Sequence, residues 1–506
     1  MRSPLLSPPT AAIAAFCLWT HLVAGQSPDS LALSLPDAVA IALRSGDESR
    51  QAAAQVSVAD AQVDIARAGG LPQLRLNSSY LHTYASSRGQ AVGAVFNQPN
   101  TYSAVANATQ SVFQGGRVIA GLRAANRLER AARLSESEIR AQVSLDVQRA
   151  YLQALFAARM VEIQRSNAAL ASSRLTQVEQ LQAAGRAARY DVLRARVERA
   201  NLEPVVLQSL SDREIALLDL KRLLNLPLER PVILTTTIDS ATVAAVLASV
   251  EAAQIGGDSL PVENRPAVRA AELTALARHD AISIARANLL PTVSVFGNLG
   301  YAAYPLRGFP TTLGTTTSVS TPCTFVRVDG GFCTRTDQNG GFFSDKSVGV
   351  QLSWAIFDGL QTKASIDLAD AQARLADIQL SQQREQAALE IARARAELTR
   401  ARSAYSAQQQ TVSEANEAFQ LASLRFSRGL GTQLDVSDAQ VALLTAQTTG
   451  ARSTYDLFLA SAGLARALGR PIPLLPGASL TPRRSGIGAT STGTTSAPLR
   501  DQTPDR

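Results

Sequence analysis

Two stretches of this chain, Leu122 to Ala184 and Leu360 to Arg428, contain neither glycine nor proline. Nothing in either one stops a helix, and at about 1.5 Å rise per residue each would run on the order of 100 Å. A helix of that length does not fit inside a compact core; it needs neighbours along its whole flank. Val143, Val147, Ala150, Ala154, Ala158 and Val161 recur at coiled-coil spacing and mark the flank that is covered. Glu129 with Arg133 and Glu136 with Arg140 are i,i+4 pairs that support the exposed side. The neighbours come from shorter helical stretches, Pro36 to Ala68 and Ala187 to Leu224 in the first half, Asn264 to Leu289 and Thr432 to Leu468 in the second. Stacked end to end, each pair would run beside one long helix. Abundant Ala with only 5% aromatics suits such close helix packing.

The two halves repeat each other. Ser111-Val-Phe-Gln-Gly-Gly-Arg117 matches Ala355-Ile-Phe-Asp-Gly-Leu-Gln361 at an offset of 244. Gly185…Asp191-Val192 matches Gly429…Asp435-Val436, and Leu224-Asn-Leu-Pro227 matches Leu468-Gly-Arg-Pro471, at the same offset. Three anchors in one register point to an internal duplication. Upstream, Leu71-Pro72 matches Leu290-Pro291 at 219, so the second copy carries 25 extra residues before Phe357. The extra segment holds the turn signals Asp329-Gly330-Gly331 and Asn339-Gly340-Gly341. The expected organisation is a first repeat over 26–260 and a second over 261–473. In the first, a strand hairpin (72–113) precedes a long helix (116–185), a return helix (187–225) and a mixed linker packed outside the rods. In the second, a strand hairpin (291–357) precedes a long helix (359–428) and a return helix (432–468).

After each Leu-Pro the period becomes two. In Thr292 to Tyr301, Val293, Val295, Leu299 and Tyr301 share a face, opposite Thr292, Ser294 and Asn298, with Phe296 an exception on the polar side. In Ser347 to Phe357, Val348, Val350, Leu352, Trp354 and Ile356 alternate with small polar residues. The strands near 73–82 and 101–113 alternate less strictly. An apolar face opposite a polar one fits a barrel strand between lipid and water, or a β-sandwich strand with one wet face. No segment after the N-terminus approaches the roughly 18 apolar residues of a membrane-spanning helix, so a membrane location requires a barrel. Small closed barrels need about eight strands, which makes four strands per chain too few and the assembly oligomeric.

Residues 1–25 read as a signal peptide: Arg2, an apolar run from Ala11 to Trp19, and Val23-Ala24-Gly25 before a cut at Gln26. Phe16 before Cys17 argues against a lipidation site. Of the remaining cysteines, Cys323 and Cys333 lie in the extra segment and read as a local disulfide in an exported protein. The net charge of +7 comes from arginines interleaved with acids along the helices, a solvated surface with no nucleic-acid patch. Only His82 and His279 follow the signal, with no phosphate loop, nucleophile elbow or metal cluster, so neither an enzyme nor a cofactor is expected. The stretch from Pro476 onward is rich in Ser, Thr, Gly and Pro, and disorder is expected over 474–506.

These features together resemble the outer-membrane efflux protein family, over roughly Leu33 to Pro471. The resemblance rests on Leu71-Pro72 and Leu290-Pro291 before strands, Phe113-Gln-Gly-Gly116 and Phe357-Asp-Gly359 entering helices, Asn264-Arg-Pro266, and Gly429…Leu434-Asp-Val-Ser-Asp438-Ala439. It implies a homotrimer with a 12-stranded barrel in the outer membrane and an α-helical coiled-coil tunnel in the periplasm. It also implies docking to a periplasmic adaptor and an inner-membrane transporter, as the exit duct of a tripartite efflux pump or type I secretion system. The alternative is a periplasm-spanning coiled-coil adaptor without a barrel. Drugs, metal cations and secreted proteins all remain open as cargo.

In the family, the turn joining long to short helix forms the periplasmic entrance, which maps here to Gly185–Asp191 and Gly429–Asp438. Asp435 and Asp438 share a helix face and in a trimer would form stacked carboxylate rings favouring cations. The competing reading is that they are first-turn charges favourable to the helix dipole, and Asp191 fits that reading equally well. Gly185 and Gly429 correspond to adaptor-docking turns, besides terminating helices. Related channels lock the closed tip with a Tyr and an Arg, and the matching positions here are Phe426 and Gly431, which cannot make those bonds. Arg186, Arg189 and Tyr190 are the polar residues at hand to replace them.

Overall fold

The computed structural model describes residues 31–87, 99–238, 242–248, 262–305, 308–311, 313, 316–322, 332–338 and 341–469. The expected signal peptide, Cys323 and the expected disordered tail lie outside the described residues. In chain order the elements are β1 (Leu31–Leu33), α1 (Leu35–Ser45), α2 (Asp47–Ala68), β2 (Gln73–His82), β3 (Asn100–Gln114), α3 (Arg117–Ala183), α4 (Arg189–Leu223) and β4 (Val232–Leu234). They continue as α5 (Pro266–Arg286), β5 (Thr292–Ala303), β6 (Thr316–Pro322), β7 (Phe332–Gln338), β8 (Phe343–Ser353), α6 (Gln361–Ser427) and α7 (Gln433–Ala467).

The breaker-free stretches form single helices. α3 and α6 are 67 residues each, and α4 and α7 are 35 each. Val143, Val147, Ala154 and Val161 of α3 are buried, on the stripe that the spacing marks. α3 packs against α2, α4, α5 and α7, while α6 packs against α5 and α7. The half-length helices therefore lie beside the long ones, and α5 and α7 fill the space between α3 and α6.

Several boundaries differ from the sequence reading, each for a local reason. Pro36–Ala68 is two helices, because Gly46 is extended (φ −64°, ψ 139°) and its N–H closes α1 on the Ala42 carbonyl at 2.8 Å. The helix expected from Asn264 starts at Pro266: the residue before a proline is pushed out of helical geometry, and Arg265 sits at φ −66°, ψ 133°. The strand expected over Ser347–Phe357 is shifted to Phe343–Ser353. Its partner β5 begins at Thr292, just after Pro291, so the last pair is Thr292 with Ser353 and Trp354 onward has no ladder to join. Pro204 stays within α4.

The expected linker holds structure that its sequence does not announce. β4 pairs in parallel with β1, and 242–248 is helical. Tyr151 of α3, fully buried, ties this strap to the rods. Its hydroxyl donates to the Leu33 carbonyl at 2.8 Å, lies 2.9 Å from the Thr236 Oγ1 and accepts from the Thr236 N–H at 3.3 Å. Around it Leu35, Val147, Leu220, Leu224, Leu398 and Leu457 form the largest core cluster.

At the opposite end from the α3–α4 and α6–α7 turns, β2, β3, β5 and β8 form one antiparallel sheet in the order β2-β3-β5-β8. β6 and β7, in the extra segment, make a separate hairpin, with 323–331 between them.

Candidate functional site

Cross-strand register sorts the sheet into two faces. Leu76, Ala106 and Leu299 are aligned across β2, β3 and β5, as are Leu74, Ala108 and Gly297, the last beside Val348. Val295 with Val350 and Val293 with Leu352 continue this apolar face. It is uncovered in the single chain: Val348 is 81% exposed and Leu76 75%. The other face carries Arg75, Asn107, Asn298 and Ser347 in one row, with Ser79 and Ser103 hydroxyls 2.7 Å apart and Asn298 donating to the Ser347 Oγ at 3.1 Å. A bulge between Ser111 and Phe113 shifts the register by one residue, so that Phe113 instead of Val112 pairs with Val293.

At the far end of the rods lie two turns built alike. Gly185 (φ +70°) lets the Arg186 N–H reach the Leu181 carbonyl at 2.8 Å while its own N–H bonds to Gln182. Gly429 (φ +74°) does the same with Leu430 to Arg425 at 2.9 Å and Phe426. This is the double bond pattern of a glycine-terminated helix, and it satisfies carbonyls that a long helix would otherwise leave open. The turns lie next to each other, since the Arg186 guanidinium comes within 3.9 Å of where a Gly429 side chain would begin.

Each return helix is capped by its aspartate. The Thr432 N–H donates to the Asp435 carboxylate at 2.9 Å, and the Asp435 N–H donates to the Thr432 hydroxyl at 3.2 Å. The Ala188 N–H donates to the Asp191 carboxylate at 3.2 Å. The Thr432 backbone N–H, aided by its side chain, holds Asp435 below the usual carboxylate range, so it stays ionised at mildly acidic pH. Asp438 is exposed on the next turn. Asp435 therefore caps its helix and also presents a charge at the tip.

Phe426 packs into the apolar cluster of Leu175, Val178, Val192 and Ala195, joining α6 to the first tip by packing instead of by a hydrogen bond. Gly431 lies close to the Asp435 carboxylate, whose Oδ2 is 3.5 Å from where its side chain would start. Arg186, Arg189 and Tyr190 are exposed. Cys333 lies on β7 opposite Thr321.

Just above the tip is a polar knot that the sequence reading did not single out. Arg174 of α3 is 6% exposed; its guanidinium meets Glu198 of α4 at 3.3 Å and donates to Gln440 of α7. Gln440 in turn donates to Asn167, and the Ser437 hydroxyl donates to Glu198 at 2.7 Å. Burial pushes the Arg174 guanidinium down and Glu198 opposes this. The available signal was two polar residues, Asn167 and Arg174, seven apart on the buried stripe of α3. A second such cluster joins Arg265 to Glu138 at 3.0 Å and Glu390 at 2.7 Å, with Arg466 also on Glu138 at 3.1 Å.

A two-faced sheet mounted on the ends of long helical rods, with tight glycine turns at the other end, is the fold of TolC-like outer-membrane proteins. The chain belongs to the outer membrane efflux protein family, whose model matches residues 42–226 and 259–470. It is 26% identical over 207 residues to the solvent efflux pump outer membrane protein SrpC of Pseudomonas putida, a stretch that spans 41% of this chain and 38% of SrpC. The fold matches the outer membrane protein VceC of Vibrio cholerae with a TM-score of 0.67 at 20% identity, covering 87% of this chain and 97% of VceC. It matches the CmeC outer membrane channel of Campylobacter jejuni with a TM-score of 0.68 at 16% identity, covering 92% and 94%. The family and these neighbours are channel proteins and not enzymes.

Proposed function

We propose that three copies of this chain form the exit duct of an efflux pump or type I secretion system: a twelve-stranded barrel in the outer membrane above an α-helical tube in the periplasm. The observation that carries this reading is the pair of open edges. Among the described residues β2 bonds only to β3 and β8 only to β5, and the sheet face between them is apolar and uncovered. In lipid, two unpaired edges are prohibitive, so the strands must pair with other copies. The edges are also consistent along the molecule: α2 and α4 flank the β2 side, and α6 flanks the β8 side. Val58, Val197 and Leu207 on one side and Leu368, Leu375 and Ile378 on the other are exposed and apolar. Two unlike edges joining head to tail give a ring, and three four-stranded sheets supply enough strands for a water-filled barrel.

The equal lengths of α3 with α6 and of α4 with α7 support an internal duplication that fixes the periplasmic span. The duct is passive, with a periplasmic adaptor docking at the Gly185 and Gly429 turns and an inner-membrane transporter supplying the energy. The 1–25 signal peptide exports the chain across the inner membrane, from where the apolar sheet face directs it to the outer membrane. A disulfide between Cys323 and Cys333 would close the outer loop. In the ring, Asp435 and Asp438 project a carboxylate field at the entrance, with Asp191 contributing on the neighbouring turn. The adaptor-only alternative leaves the apolar sheet face without a function.

The test is single-channel recording. The native protein should conduct with a preference for cations, and Asp435→Ala with Asp438→Ala should reduce that preference. Unchanged selectivity together with unchanged block by multivalent cations would rule the carboxylates out as the filter. A native protein that does not conduct would sink the channel reading itself.

A further inference from the structure

On the polar face of the sheet, two bulky apolar side chains stand away from the rims, Phe296 on β5 and Val105 on β3. Each is directly opposite a glycine: Phe296 pairs with Gly349 on β8, and Val105 pairs with Gly300 on β5. A side chain begun at Gly349 would come within 2.7, 3.0 and 3.4 Å of three ring carbons of Phe296. One begun at Gly300 would come within 3.2 Å of a Val105 methyl. The ring and the methyl lie flat against the wall in recesses that the glycines leave open. Glycine weakens a strand, so two of them facing the two apolar exceptions call for a reason beyond strand formation.

We propose that Gly349 and Gly300 set the free bore of the barrel. By taking Phe296 and Val105 against the wall, they leave the water path to the polar side chains of the same face, Arg75 and Asp345 among them, and so set how large a hydrated solute can pass. This rests on the reading of the polar face as a channel lining. In a ring of three copies, each position is repeated around the circumference, and a ring displaced from every Gly349 recess would swing inward at one level of the barrel.

The experiment uses the full-length protein in planar bilayers and measures the largest polyethylene glycol that enters from the barrel side. Gly349→Val should lower the size limit, Gly349→Ala should lower it less, and Phe296→Ala with Gly349→Val should restore the native limit. Each variant is first checked for native assembly by its heat-sensitive mobility on gels. An assembled Gly349→Val with an unchanged limit would overturn the proposal, because the ring would then have moved along the wall. A lowered limit that the double variant fails to restore would overturn it as well. If neither Gly349 variant assembles, the same limit measured for Gly300→Ala decides, with an unchanged limit counting against the proposal. A native protein without conductance would instead remove the channel reading beneath it.

Discussion

At Gly46 a methyl group would fall 2.4 Å from the Ala42 carbonyl oxygen, a backbone atom that cannot swing aside. The turn between α1 and α2 is therefore open to glycine alone, even though its φ of −64° is ordinary. Gly46→Ala should cost about 2 kcal/mol, the scale of forced overpacking, and lower the thermal midpoint measured by circular dichroism. An unchanged midpoint would mean that α1 tilts without loss. Asp435 acts at the same scale but through charge. Its carboxyl is held below the ordinary range when folded, so its cap stabilises the tip above the unfolded value and is lost as pH falls through the lower, folded one. Asp435→Asn should thus shift tip stability at neutral pH and leave it unchanged in strong acid, as read by limited proteolysis of the α6–α7 turn. The Asp435 cap could be read from Thr432 and Asp435 three residues apart, and its charge from its place beside Asp438. The need for glycine at position 46 could not, since it depends on where the chain turns and not on a neighbouring residue type.

Among the elements, the long helices were the most legible and the strand ends the least. An absence of breakers over the 67 residues of α6 leaves one outcome, whereas β8 ends where its partner β5 begins, just after Pro291. β1 and β4 are three residues each, too short for any period to show, and Tyr151 with the core beneath holds them in place. The polar knot at Arg174 links α3, α4 and α7, and so ties the first hairpin to the return helix of the second. Arg174→Ala would leave Gln440 and Glu198 facing each other without the guanidinium. It should destabilise by about 3 kcal/mol, the scale of a broken buried ion pair. The separation of the two hairpins should appear as faster proteolysis at the tip, with the sheet and its assembly intact. Equal proteolysis in the native and Arg174→Ala proteins would show that Phe426 and its apolar cluster hold the tips without the knot.

For the molecule as a whole, the long-helix fold class follows from the sequence, but closure does not. Four strands and an odd set of exposed apolar helix faces say only that something must cover them. The structure adds direction, because α2, β2 and α4 lie on one flank and β8 and α6 on the other, so the two edges are unlike and a head-to-tail ring can join them. Everything proposed for the entrance and the bore depends on that ring. Its most direct measurement is the native mass of the protein extracted in mild detergent from the outer-membrane fraction. The predicted result is three chains in a complex that resists sodium dodecyl sulfate until heated. A monomer recovered from the soluble periplasm would contradict it.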